Sequence, residues 1–241
     1  MPKIPSQRTR LHAAVPFAAG LLIAALAGCG QNAHPSATST KNPQASGSDI
    51  NRVEQLRSEF TPDFALGETK RSTVTPETIK RQQQQIADIT YSPAGCQSVD
   101  QDIDPDSTGT KFVTFTAEGQ GLTYTVSGQE LPPSSVGRKT SDPNCDYAQI
   151  VQPGVFTGLV TPVEPPKVVA ESVYARRIVS TSSKPDKLVV DQYRYTAWTD
   201  ARHAIIIVVS SNPFAVPPSN PVNPEFAQKL LSAGVKLVSG R

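Results

Sequence analysis

The chain of 241 residues carries 23 Lys and Arg against 21 Asp and Glu, a formal net charge of +2. Three of those cations, Lys3, Arg8 and Arg10, lie before Gly28 and no carboxylate does, so the rest of the chain balances 20 against 21, or −1. A near-neutral chain gives no electrostatic reason to expect nucleic acid as a partner. Of three histidines, only His203 falls outside the leader and the segment after it, which excludes a metal centre of the His-rich kind.

Lys3, Arg8 and Arg10 form a positive segment ahead of the uncharged run Leu11 to Leu26, the pattern of an export signal. The run ends in Leu26-Ala27-Gly28-Cys29, and in this it resembles a bacterial lipoprotein signal peptide. The resemblance implies a diacylglycerol on Cys29, cleavage just before it, and acylation of the new N-terminus. The protein is then expected on the extracytoplasmic face of the cell membrane, held by its acyl chains, each buried methylene contributing about 0.8 kcal/mol. The competing reading is an uncleaved spanning anchor, since the run approaches spanning length; the Ala/Gly-rich composition and the placement of Cys29 favour the lipid. The expected organisation is a signal peptide over 1–28, lipidated Cys29 with a tether to residue 48, and a single domain over 49–241. The tether, GQNAHPSATSTKNPQASGS after Cys29, has no large apolar residue with which to bury a core. Its Ser, Thr and Pro content would also permit sugar attachment.

Asp49 reads as an N-cap, with Ile50, Val53, Leu56 and Phe60 at helical spacing until Thr61-Pro62 ends the run. Thr75-Pro76 opens a second, mostly polar helix whose apolar stripe is Ile79, Ile86 and Ile89, a composition that predicts a surface position. Ser92-Pro93 begins a short turn or helix carrying Cys96. In KFVTFTAEGQGLTYTVS, a two-residue loop at Gly119-Gln120 pairs Ala117 with Leu122, Phe115 with Tyr124 and Val113 with Val126, all on one face. A tight connection at Asp200-Ala201 likewise places Ala197 opposite Ala204, Tyr195 opposite Ile206 and Tyr193 opposite Val208. The same register sets Trp198 against His203 and Thr196 against Ile205. Because residues 205–209 are apolar on both sides, that strand is expected to be central and covered. Further strands are expected at Tyr147 to Val151, Val155 to Val160 and Ser172 to Thr181, and a last helix from Asn223-Pro224 that ends near Gly234. The fold class is α+β: an antiparallel sheet of about five to seven strands, two to three helices packed on it, and one disulfide.

With Cys29 acylated, Cys96 and Cys145 remain as an even pair in an oxidising compartment, for which a disulfide is the default and a redox pair or metal ligation the alternatives. A bridge there closes a loop of roughly 50 residues and stabilises by about 4 kcal/mol on the chain-entropy account.

Catalytic signatures are few. There is no GxSxG, HExxH, GxxxxGK[ST] or GxGxxG, and a serine triad could use only His203. Packing of His203 on Trp198 accounts for that residue without catalysis. Asp100, Asp102, Asp104 and Asp106 alternate after Cys96, yet Pro105 replaces the glycine a calcium loop needs and Lys111 its closing glutamate, so a solvated acidic loop is expected. No cofactor, metal or catalytic residue is expected. Residues 127–145, with Arg138 and Lys139, and the proline-rich 211–224, with Phe214, read as irregular segments over a sheet edge or as docking surfaces.

Three segments, VEQLRSEFTPDF (53–64), VDQYRYTAWTDARHAIIIVV (190–209) and FAQKLL (226–231), together with the Cys29 signature and the Cys96/Cys145 pair, resemble mycobacterial-type secreted lipoproteins. These carry a domain of unknown function related to the PknH-like extracellular sensor domain. The resemblance implies helices packed on an antiparallel sheet and a cell-envelope location with no assigned activity. Those sensor domains carry two disulfides, and this chain has cysteines for one. The expected function is non-catalytic binding of an extracytoplasmic ligand or envelope component. The alternative is an accessory subunit of an envelope protein complex, and third comes a hydrolase of envelope lipid or glycan.

Overall fold

A computed structural model describes residues 47–96, 108–135, 143–215 and 222–240. Cys29, the leader and tether up to residue 46, the acidic residues Asp100 to Asp106, Arg138, Lys139, and residues 216–221 lie outside the described residues. A 3₁₀ helix (Ile50–Glu59) is followed by β1 (Ala65–Leu66), β2 (Lys70–Thr73), α1 (Pro76–Gln85), β3 (Thr90–Ser92), β4 (Lys111–Gly119) and β5 (Leu122–Glu130). Then come β6 (Ala148–Gln152), β7 (Phe156–Pro162), β8 (Ser172–Ser182), β9 (Val189–Trp198), β10 (His203–Ser211) and α2 (Pro224–Ser239). All strands join one antiparallel sheet in the order β1-β4-β5-β10-β9-β8-β7-β6-β3, with β2 also on β4. The α+β class and antiparallel sheet are as expected; the ten strands exceed the expected five to seven. The excess is β1, β2 and β3, which are only two to four residues long and almost wholly exposed, too short for an apolar alternation to betray them.

The N-terminal helix is 3₁₀ over ten residues, longer than such helices usually run. The cause lies in its spacing. Ile50, Val53 and Leu56 recur every third residue, and a helix of three residues per turn stacks them in one buried row. Asp49 caps it by accepting from the Asn51 N–H at 2.9 Å. The helix runs beside α2 in the opposite direction: the Asp49 N–H donates to the Val238 carbonyl at 2.9 Å, and Glu59 pairs with Lys229 at 3.1 Å. Helix α1 begins at Thr75 and Pro76, as the sequence indicates, and none of its residues is buried.

The last helix corrects an expectation. It runs past Gly234 to Ser239 and is capped by Gly240 at φ 67°. Gly234 is there because α2 crosses close to its neighbours: a Cβ would meet Ile205 Cγ2 at 3.0 Å and Leu56 Cδ1 at 3.2 Å.

Both hairpins keep their expected strands but not their expected register. Between β4 and β5 the turn is Gln120-Gly121, both at positive φ (53° and 73°), the mirror-image turn that suits right-twisted strands. Ala117 therefore faces Tyr124, and Phe115 faces Val126. This is a shift of two rows, which preserves the expected face. Gly119 is excluded from the turn and serves instead to admit the chain at Asp63, whose carbonyl oxygen a Cβ would strike.

Between β9 and β10 the slip is one residue, and it flips a face. Tyr195 pairs with Ile207 and Ala197 with Ile205, while Trp198 pairs with Ala204. The connection is longer than expected because Thr199 and His203 close it: the Thr199 N–H donates to the His203 carbonyl at 2.9 Å. The Asp200 carboxylate holds the chain between by accepting from the backbone N–H groups of Arg202 and His203 at 2.8 and 3.0 Å.

One face of β4, β5, β10 and β9 lies under the two long packed helices. Leu56, Phe115, Tyr195, Ile205, Ile207, Leu230 and Leu231 are fully buried there, and Phe60, Phe64, Tyr124 and Phe226 close one end edge to face. A second, smaller cluster sits on the opposite face over β6, β7 and β8: Ala148, Ile150, Val160 and Ile178 around a disulfide between Cys96 and Cys145.

Candidate functional site

His203 does not pack against Trp198. Its Nδ1 contacts both Asp200 carboxylate oxygens at 2.8 and 2.9 Å, and its Cα partner across the sheet is Glu130. Ser48 Oγ donates to Asp200 Oδ2 from the residue before the cap. The hydroxyl thus meets the carboxylate and not the imidazole, which is not the order of a Ser-His-Asp triad. Partial burial alone would raise the Asp200 pKa, but the bonds from Ser48, the Arg202 backbone and His203 outweigh it and hold the group at about 2. The cluster is an anionic turn fastened to the point where the chain enters the domain.

Beside that entry point lies a cleft of about 280 Å³. Its walls are the first turn of the N-terminal helix (Ile50, Asn51), β2 (Arg71, Ser72, Thr73), the start of β4 (Lys111 to Val113) and Glu130 at the end of β5. The charges are already arranged. Glu130 accepts from Lys111 Nζ at 3.5 Å and from Arg202 Nη2 at 3.0 Å, and Arg202 Nε donates to the Leu131 carbonyl at 2.9 Å. Arg71 reaches Asn51 Oδ1 at 3.3 Å and Glu54 at 2.7 Å, and this bond holds the Glu54 carboxyl below the usual range. The cleft presents cations, an anion, hydroxyls and an amide within one small volume, close to the lower limit for ligand sites. It suits a small polar molecule. By contrast, the space an apolar ligand would need between sheet and α2 is taken by fully buried side chains.

The opposite sheet face carries a polar row that the sequence does not reveal. Arg176 and Arg194 are direct cross-strand partners, 6% and 8% exposed, and both are engaged in further interactions. The Arg176 guanidinium also lies 5.4 Å from the Tyr174 ring centroid. Next along β9, Thr196 Oγ1 and Trp198 Nε1 are buried without a hydrogen-bond partner among the described residues. In the run Tyr174-Ala-Arg-Arg-Ile178, either arginine could face inward on period 2; only the register with β9 selects Arg176.

Of the residues singled out in the sequence, Cys96 and Cys145 meet in the disulfide, with Cα atoms 5.4 Å apart. Phe214 is exposed on a turn, its N–H donating to Asn212 Oδ1 at 2.9 Å. The irregular segment expected from residue 127 begins later, because β5 continues to Glu130. Among the described residues, no group of three His, Cys, Asp or Glu side chains comes together to hold a metal. Nor is any helix among them long and apolar enough to cross a membrane.

The fold is similar to that of an uncharacterized protein of Mycobacterium smegmatis, described as an Rv0999 ortholog and solved by X-ray crystallography. The likeness has a TM-score of 0.64 at 22% sequence identity and covers 81% of this chain and 100% of that one. No curated protein matches the sequence. A family model, that of a domain of unknown function, DUF5642, matches residues 49–239, from the cap of the first helix to the end of α2. The chain belongs to the DUF5642 family.

Proposed function

We propose that this protein is a lipid-anchored, non-catalytic cell-envelope protein, sensor-like or carrier-like, whose domain binds a small polar extracytoplasmic ligand in the cleft between the N-terminal helix, β2 and β4. The observation that carries the reading is the cleft's lining, in which Arg71, Lys111, Glu130 and Asn51 offer both signs of charge in about 280 Å³. That volume suits a sugar ring or an amino-acid-sized molecule better than an acyl chain. Anchoring is supported by the Leu26-Ala27-Gly28-Cys29 signature, and kinship with the PknH-like sensor domains by the three segments quoted above. The non-catalytic reading is supported by Ser48, which bonds Asp200 in place of His203.

The test uses the full chain purified from envelope in detergent. Native mass spectrometry should find a bound species below about 500 Da, in keeping with the cleft's size. Lys111→Glu and Arg71→Glu should each weaken its retention about tenfold or more, equivalent to 1.4 kcal/mol. Absence of any bound species, with no change in melting on adding envelope extract, would refute the ligand assignment. Separately, Cys29→Ala should leave an unacylated, uncleaved precursor; a normally acylated mature mass would refute the anchor.

A second reading has its own observation. Phe214 is 56% exposed at the start of the proline-rich segment, an aromatic placed as a docking residue of an accessory subunit is placed. A stoichiometric envelope partner lost on Phe214→Ser would favour it.

A further inference from the structure

The helices cover only half of the sheet face they pack on. Register extends that face from Ala175 and Tyr195 to Val179, Leu159 and Val189, but beyond Tyr193, among the described residues, neither the N-terminal helix nor α2 packs on it. Leu159 is 54% and Val189 49% exposed. On this bare quadrant the inward-type positions of β6 to β9 are Val, Leu, Thr and Gln, with two charges, Arg177 and Asp191. Those two neutralise each other in a two-pronged pair, Nε to Oδ1 at 2.8 Å and Nη2 to Oδ2 at 3.0 Å.

We infer that this face is the contact between two copies of the chain, packed sheet to sheet about a two-fold axis. The charge pattern selects a second copy. A face carrying one cation and one anion side by side is complementary to itself under two-fold rotation, which sets Arg177 of one copy against Asp191 of the other. A nucleic acid or anionic bilayer would need a cationic face, and here the one cation is cancelled. Apolar and β-branched side chains alternating on four neighbouring strands form the surface that aligned sheets bury when they pack about 10 Å apart.

The experiment keeps the full chain in its own membrane. Leu159→Cys should give an interchain disulfide dimer on mild oxidation, and Ser72→Cys, at the far edge of the sheet on β2, should not. In the Leu159→Cys background, Arg177→Asp places like charges opposite each other and should cut the dimer at least tenfold; Arg177→Asp with Asp191→Arg restores complementarity and should restore it. Absence of the dimer, equal crosslinking at residue 72, a mixed disulfide with a different protein, or indifference to the charge reversal would each overturn the inference.

Discussion

The two halves of the sheet are held by different means. Over β4, β5, β10 and β9, 22 buried apolar residues among those described form one cluster beneath the N-terminal helix and α2. Over β6, β7 and β8 the corresponding cluster, on the opposite face, has six among the described residues, two of them the cysteines. The smaller the buried apolar surface, the more of the stability of these strands falls to the covalent link. The difference also explains where the candidate cleft lies. It opens at the edge of the densely packed half, where Lys111 and Glu130 are cross-strand partners on β4 and β5 and Arg202 pairs with Glu130, on the rigid kind of element a binding geometry uses.

The largest expected effect breaks the weaker half. Cys96→Ala or Cys145→Ala should cost about 2–5 kcal/mol, as for loss of a native disulfide in a small secreted domain. Equal denaturant midpoints with and without reductant would show that β6 to β8 stand without the bridge. In the packed half, Gly234→Val should cost about 1–3 kcal/mol by overpacking against Ile205 and Leu56. A melting temperature unchanged from wild type would mean that α2 can lift away from the sheet.

How much of this was legible depended on whether the informative contact was local. The strands β4 to β10 and the caps Asp49, Thr75 and Asn223 follow from turn residues and alternation, and the disulfide from an even pair of cysteines. The β4–β5 hairpin tolerated a misplaced turn, because moving it one residue shifts both strands together and keeps Phe115 and Tyr124 on one face. The β9–β10 hairpin did not, because the Asp200 side chain captures two backbone N–H groups and lengthens the connection by one residue. Asp200-Ala201 carries no glycine to mark that geometry. The cleft was not legible: the β4–β5 ladder sets Lys111 against Glu130, but only β2 pairing with β4 brings Arg71 beside them, and only packing of the N-terminal helix brings Asn51.

Smaller effects test the two turns of the packed half, β9–β10 and β4–β5. Asp200→Asn weakens charge-assisted bonds to Ser48 and His203, for a loss of about 1–2 kcal/mol at neutral pH. Because the folded group sits at about 2, below its ordinary 3.8, it stabilises above the ordinary value and that contribution fades as pH falls from about 4 through 2. Acid unfolding of the Asn variant should therefore lose part of its steepness in that window, and a superimposable curve would contradict the network. Gln120→Gly relieves a positive φ of 53° and should stabilise the packed half by less than about 1 kcal/mol; a loss of stability would contradict the assigned turn.

The contrast between the halves is tested most directly by hydrogen exchange of the full chain, followed residue by residue before and after reduction of the disulfide. Amides of β6 and β7, Ala148 to Gln152 and Phe156 to Thr161, should lose protection on reduction by about 100-fold or more, as the low end of local opening energies is reached. Those of Ile205, Ile207 and Leu230 should keep theirs. Protection lost uniformly across both halves, or unchanged in β6 and β7, would contradict the account.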